Sequence, residues 1–134
     1  MMNRLFFAFS FLALAACGSE PGYFGSFDTN FGATFAVDAE RVDDGFGGTY
    51  TVLSFDDARV VAQNDSSNAF FPDLFSAFDF AEVNSSWYYC QIEFEAATEE
   101  AAESATPGDS TAVDTDGCAG FPWTRLDPMS AAVE

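Results

Sequence analysis

Two residue types are missing outright: the 134 residues contain no histidine and no lysine. Without histidine there is no Ser-His-Asp or Cys-His nucleophile, and without lysine no Ser-Lys pair and no Schiff base. Positive charge of any kind is scarce, with four arginines against 22 Asp and Glu and a formal net charge of −18. Nucleic-acid binding rests on Lys and Arg neutralising phosphates, so no nucleic acid is expected as a partner. Adsorption to anionic lipid head groups is disfavoured for the same reason. The charge suits solubility in saline surroundings, or a positively charged partner or divalent cation. Aliphatic side chains are few, with a single isoleucine, Ile92. Phenylalanine is abundant instead, at 17 residues. Acidic disordered segments are poor in aromatic residues; this chain is the reverse, so its core must be built from rings.

The amino-terminal stretch reads as a targeting segment rather than as part of the fold. Met1 to Arg4 carry one positive charge, and Leu5 to Leu14 form an uncharged run too short to cross a bilayer as a helix. Leu14-Ala15-Ala16-Cys17 resembles the lipobox of bacterial lipoprotein signal peptides. That resemblance implies cleavage after Ala16, lipidation of Cys17 and a membrane partner reached through the lipid anchor. Gly18, where an Asp would signal retention in the inner membrane, points to the outer membrane, facing either the periplasm or the cell surface. The alternative is an ordinary secretory signal cleaved at the same bond, leaving Cys17 as a thiol. The domain expectation is therefore a signal peptide over 1–16, a lipidated tether over 17–22, a β domain over 23–127 and a tail over 128–134.

With Cys17 lipidated, two of the three cysteines remain, an even number in an oxidising compartment. A Cys90–Cys118 disulfide is expected, the alternatives being two free thiols or a metal pair. Ser86 to Glu95 is the most strand-like run and carries Cys90. Its period-2 reading puts Tyr88, Cys90, Ile92 and Phe94 on one face, taken as core, and Trp87, Tyr89, Gln91 and Glu93 on the other. Further strands are expected over 23–28, 31–37 (with Phe31 inward), 49–55, 59–63, 76–83 and 121–126. Short polar turns separate them, Asn84-Ser85 among them, and the spacing fits no βαβ unit. Phe70 to Phe75 reads as a helical turn opened by Pro72, and Thr98 as the N-cap of one short helix. The predicted fold class is mainly β, an antiparallel meander forming a small barrel or sandwich, with one short α-helix and one disulfide.

Paired carboxylates are the catalytic option that survives the missing residues, as in glycoside hydrolysis. Asp43/Asp44, Asp56/Asp57 and Glu99/Glu100 each sit at a predicted turn or helix start, where solvation explains them equally well. Asp114-Thr115-Asp116-Gly117 looks like part of a calcium loop, and Asp114 and Asp116 are the weak metal candidates. In that register Ala112 and Trp123 occupy the first and twelfth positions, and neither supplies an oxygen ligand from its side chain. The best candidate ligand surface is Trp87, Tyr89, Gln91 and Glu93, since exposed rings beside hydrogen-bonding groups grip proteins and glycans. The competing reading has that face covered and Trp87 and Tyr89 in the core.

Trp87-Tyr88-Tyr89-Cys90-Gln91, then an Ala/Glu-rich helix, then Gly117-Cys118-Ala119-Gly120-Phe121-Pro122-Trp123-Thr124-Arg125-Leu126, resembles a group of small bacterial lipoproteins of unknown function. The resemblance spans roughly Val52 to Leu126 and implies fold and address, with no catalytic residue and no cofactor. The functional expectation is a lipid-anchored envelope lipoprotein with a non-catalytic binding or scaffolding domain. A carboxylate-dependent glycan hydrolase and a calcium-dependent binding module are the alternatives.

Overall fold

The computed structural model describes residues 20–129; the expected signal segment, Cys17 and the last five residues lie outside them. Eight antiparallel strands close into a barrel in chain order: β1 (Gly25–Thr29), β2 (Thr34–Val37), β3 (Arg41–Asp43), β4 (Thr49–Phe55), β5 (Arg59–Asn64), β6 (Phe75–Val83), β7 (Ser86–Ala96) and β8 (Thr124–Pro128). β8 pairs with β1 through Phe27–Pro128, Asp28–Asp127 and Thr29–Leu126, which shuts the sheet. Closure leaves no edge strand to template aggregation. One short helix, α1 (Glu99–Glu103), and a 3₁₀ turn (Ser110–Ala112) lie in the β7–β8 connection. The predicted mainly-β fold, short helix and disulfide are all present, and the barrel alternative is the one adopted.

Local chemistry explains the turns. Asn84 and Ser85 both take positive φ (51° and 67°), the two-residue geometry whose twist matches that of paired strands. Asp38 and Asp56 each accept two backbone N–H bonds and so hold the β2–β3 and β4–β5 turns. These three turns share one end of the barrel, here called proximal, with the start of β1 and the end of β8. The β1–β2, β3–β4 and β5–β6 loops share the opposite, distal end.

Rings fill the interior. Tyr89 stacks on Phe35 at 4.0 Å, and Tyr23 stacks on Phe80 at 3.8 Å, within a buried cluster that also holds Phe27, Phe78 and Leu126. Such pairs add about 0.5–1.5 kcal/mol each beyond the area they bury. Tyr23, ahead of β1, is the proximal plug: fully buried, edge-on to Trp87, its hydroxyl donating to the Asp56 carbonyl at 2.6 Å. The outer faces of β1–β3 carry exposed Ser26, Asp28, Thr34, Arg41 and Asp43. Charge outside and rings inside is the inverse of the lipid-facing barrel pattern.

The β7–β8 connection, residues 97–123, is a strap laid over the outer wall of β5–β7. Cys90 and Cys118 are joined, with Cα atoms 5.6 Å apart, and Tyr88, Val113 and Trp123 pack around the bond. Trp123 lies against Gly108 and Gly117, where any side chain would collide with it or with neighbouring carbonyls. A buried ion pair forms the second fastening. Arg59 donates to both Asp79 oxygens (2.5 and 3.0 Å), and its remaining nitrogen caps the carbonyls of Glu103 and Ala105 at the end of α1 (2.9 and 2.8 Å). Asp79 also accepts the Gly108 N–H.

Several expectations need correcting. Phe31 does not face inward but stands in the β1–β2 turn, because Thr29 Oγ1 accepts the N–H groups of Phe31 and Ala33 and ends the strand. Residues 70–74 are not helical; Phe71 and Asp73 take left-handed φ of 51° and 65°. Phe94 is exposed, since register shifts between β6 and β7 around Phe75–Phe78 break the alternation. Pro128, assigned to a tail, belongs to β8. The three-residue β3 was not expected at all.

Candidate functional site

Eight strands give an interior that side chains just fill or that holds one small ligand. Here the proximal half is closed by Tyr23 and Trp87, and a network of polar side chains enters in the distal half. Ser76 Oγ donates to Asn64 Oδ1 at 2.5 Å, and Gln91 Nε2 reaches Ser76 Oγ at 3.2 Å. Asn64 in turn donates to the carbonyls of Phe71 and Phe94, so the network secures the distal loops from within.

The β3–β4 and β5–β6 loops form the distal mouth, around an open groove of about 310 Å³ lined by Asp44, Phe46, Tyr50, Asn68 and Phe70. Asp44 is its hub. One carboxylate oxygen accepts the N–H groups of Phe46 and Gly48, and the other accepts the Tyr50 hydroxyl at 3.0 Å. Gly45 has φ +78°, and a Cβ there would lie 1.9 Å from the Thr34 carbonyl oxygen. Asn68 fastens the facing loop by accepting from Thr49 N–H and donating to the Thr49 carbonyl. Burial pushes the Tyr50 hydroxyl up to about 12, with the Asp44 charge adding to the effect and the Gln91 bond opposing it.

Loops held in this way fix their aromatic residues outward. Phe46 is 69% exposed and Phe70 79%. Phe31, Phe71 and Phe94 are also exposed at this end, the last two rings 5.4 Å apart. Acids are interleaved with them: Asp43 and Asp44 before Phe46, Asp73 after Phe71, Glu93 and Glu95 either side of Phe94. Arg41 reaches toward this region but pairs with Asp65, whose carboxyl is held below the ordinary range by bonds from Thr49, Arg41 and Thr51.

No protein-family model matches the chain, and neither curated proteins nor solved structures yield a match. The reading of this barrel therefore rests on its own residues.

The face proposed from sequence is not an open surface. Trp87 is half-buried under Gly22 and Tyr23, and Tyr89 is 8% exposed and stacked in the core. Gln91 turns its amide into the distal polar network, while half-buried Glu93 accepts the Glu95 N–H. Barrel closure takes Trp87 and Tyr89 inward and leaves Tyr88 and Cys90 outside beneath the strap. Asp114 and Asp116 are exposed in the turn before Cys118, and no group of three or more Asp, Glu, His or Cys able to hold a metal occurs among the described residues. Of the candidate carboxylate pairs, Asp43 and Asp44 cap the β3–β4 loop, Asp56 caps β4–β5, and Glu99 and Glu100 fill the first turn of α1.

Sequence reading passed over the mouth because a phenylalanine is counted as core by default. A usable signal existed. Phe46 lies in Asp44-Gly45-Phe46-Gly47-Gly48, and Phe70-Phe71 between Asn68 and Pro72. Rings flanked on both sides by turn formers have no strand to carry them inward.

Proposed function

We propose that this chain is a lipid-anchored envelope lipoprotein whose barrel is a non-catalytic binding or scaffolding module, and that its distal mouth is the working surface. The observation that carries this reading is the division of labour between the two ends. Tyr23, directly after the expected tether, plugs the proximal end, while five of the seven exposed phenylalanines gather at the other, the remaining two being Phe55 on β4 and Phe121 on the strap. A barrel tethered through Cys17 presents that rim away from the bilayer. Each ring that a partner buries contributes roughly 1.5–3 kcal/mol to association. Exposed apolar groups concentrated on one face mark interaction sites rather than ordinary surface.

The hydrolase reading draws less support, because the candidate acids are engaged in holding turns and Trp87 lies at the plugged end. Two measurements test the proposal. Radioactive palmitate labels the wild type and not Cys17→Ala; equal labelling, or none in either, refutes the anchor. A photo-crosslinking residue at position 70 traps a specific partner in cells, while one at position 57, in the proximal β4–β5 turn, does not. Equal trapping at both positions refutes the distal surface.

A further inference from the structure

Building on that reading of the distal mouth, we infer that its partner is a basic segment of another protein, whose Lys or Arg side chains lie over Phe46 and Phe70 beside Asp44. Charge is the first argument. Residues 20–129 hold 21 Asp and Glu and three arginines. Each arginine already has an acid of its own: Arg41 with Asp65, Arg59 with Asp79, Arg125 with Asp127. That leaves 18 carboxylates without a basic partner among the described residues. The field at the mouth is therefore uncompensated and attracts cations, raising the rate of encounter.

Ring geometry is the second argument. Phe46 and Phe70 line one groove and are both largely exposed to water, and cations sit favourably over aromatic rings. Hydrogen-bond accounting is the third. Asp44 and Asn68 spend their bonds on their own loops, so the groove offers charge and apolar surface but few free donors. A glycan, read through hydroxyl hydrogen bonds, finds little to hold it there. A second copy of this chain brings the same negative charge, and so does an anionic bilayer. A basic segment satisfies both the rings and the carboxylates.

The test uses the purified chain and a short fluorescein-labelled peptide of Lys, Arg and Gly, followed by fluorescence anisotropy. Binding is expected to weaken at least about tenfold between roughly 0.05 and 0.5 M NaCl. It is expected to weaken by about tenfold in Phe46→Ser/Phe70→Ser, whose exposed rings are dispensable for folding. Asp114→Asn/Asp116→Asn, which removes two negative charges from the strap and leaves the rings in place, keeps affinity within twofold. A phenylalanine variant that binds as well as the wild type, or a strap variant that loses as much affinity as the phenylalanine variant, shows that the rings do not define the site and overturns the inference. So do equal binding of a Glu/Gly peptide, partition onto phosphatidylcholine vesicles in place of peptide binding, or concentration-dependent dimerisation that is lost in the phenylalanine variant. If position 70 traps a partner in cells while the peptide does not bind, this inference fails and the distal surface stands. If neither occurs, both fail.

Discussion

Replacing Arg59 by Met is the most informative single perturbation of this fold. The side chains of Arg59 and Asp79 are 14% and 7% exposed, so their pairing takes place largely out of water. Removing one member of a buried pair costs about 3–5 kcal/mol, because the other charge stays behind. Here Asp79 keeps only the Gly108 N–H, and the carbonyls of Glu103 and Ala105 lose their donor. We expect a loss near 4 kcal/mol, which lowers Tm by roughly 15 °C for a domain of this size. Asp79→Leu alone costs less, since Arg59 retains the helix carbonyls. Combining the two substitutions recovers part of the loss, so the cycle shows coupling of about 2 kcal/mol or more. Guanidinium unfolding followed by near-ultraviolet circular dichroism gives all four stabilities. A cost below about 1 kcal/mol for Arg59→Met, or strict additivity, shows the pair behaving as an exposed surface bridge and refutes the two-fastening account of the strap.

The Cys90–Cys118 bond closes 29 residues, and Cys90→Ser/Cys118→Ser is expected to lose roughly 3–4 kcal/mol; a guanidinium midpoint unmoved by reductant contradicts this. Burial holds the Tyr50 and Tyr89 hydroxyls up to about 12 against an ordinary 10.0, so the folded state keeps protons that the unfolded chain releases. Their contribution is complete below pH 10 and is lost as pH rises through about 12; unfolding free energies that stay flat across that window oppose the assignment. Gly45→Ala combines positive φ with a collision against the Thr34 carbonyl and is expected to cost at least about 2 kcal/mol. Gly47→Ala, at φ +93° with open space around it, costs about 1 kcal/mol, and equal Tm shifts for the two refute the collision.

The longer strands were legible in sequence because β-branched and aromatic residues alternate over enough positions to set a period. Thr49–Phe55 and the β6–β7 hairpin turned by Asn84-Ser85 emerge nearly as read. α1 was equally plain, with Thr98 accepting the Ala101 N–H as an N-cap should. Arg41–Asp43 is too short to show alternation, and it exists because β2 and β4 supply partners on both sides. The inside and outside of β7 were less legible than its phase. Over Trp87–Cys90 both faces are apolar, one turned into the barrel and the other covered by the strap, and local pattern has no term for a covering 30 residues away. The distal mouth eluded reading for a related reason. Whether a ring is buried or presented depends on loop hydrogen bonds, some local, as Asp44 makes to Phe46, Gly48 and Tyr50, and some to groups far along the chain, as Asn64 makes to Phe94 and Asn68 to Thr49. The disulfide was legible only as a pairing; that Trp123 and Tyr88 enclose it follows from two glycines that leave room for an indole.

Because β1 and β8 lie side by side and leave the barrel at the same end, the ring of strands has no privileged starting point. The chain can be opened at Asn84-Ser85 and its old ends bridged, giving a circular permutant with the same wall order. Attachment to a solid support through either strand, or through a newly made terminus at that turn, leaves the phenylalanine rim pointing outward.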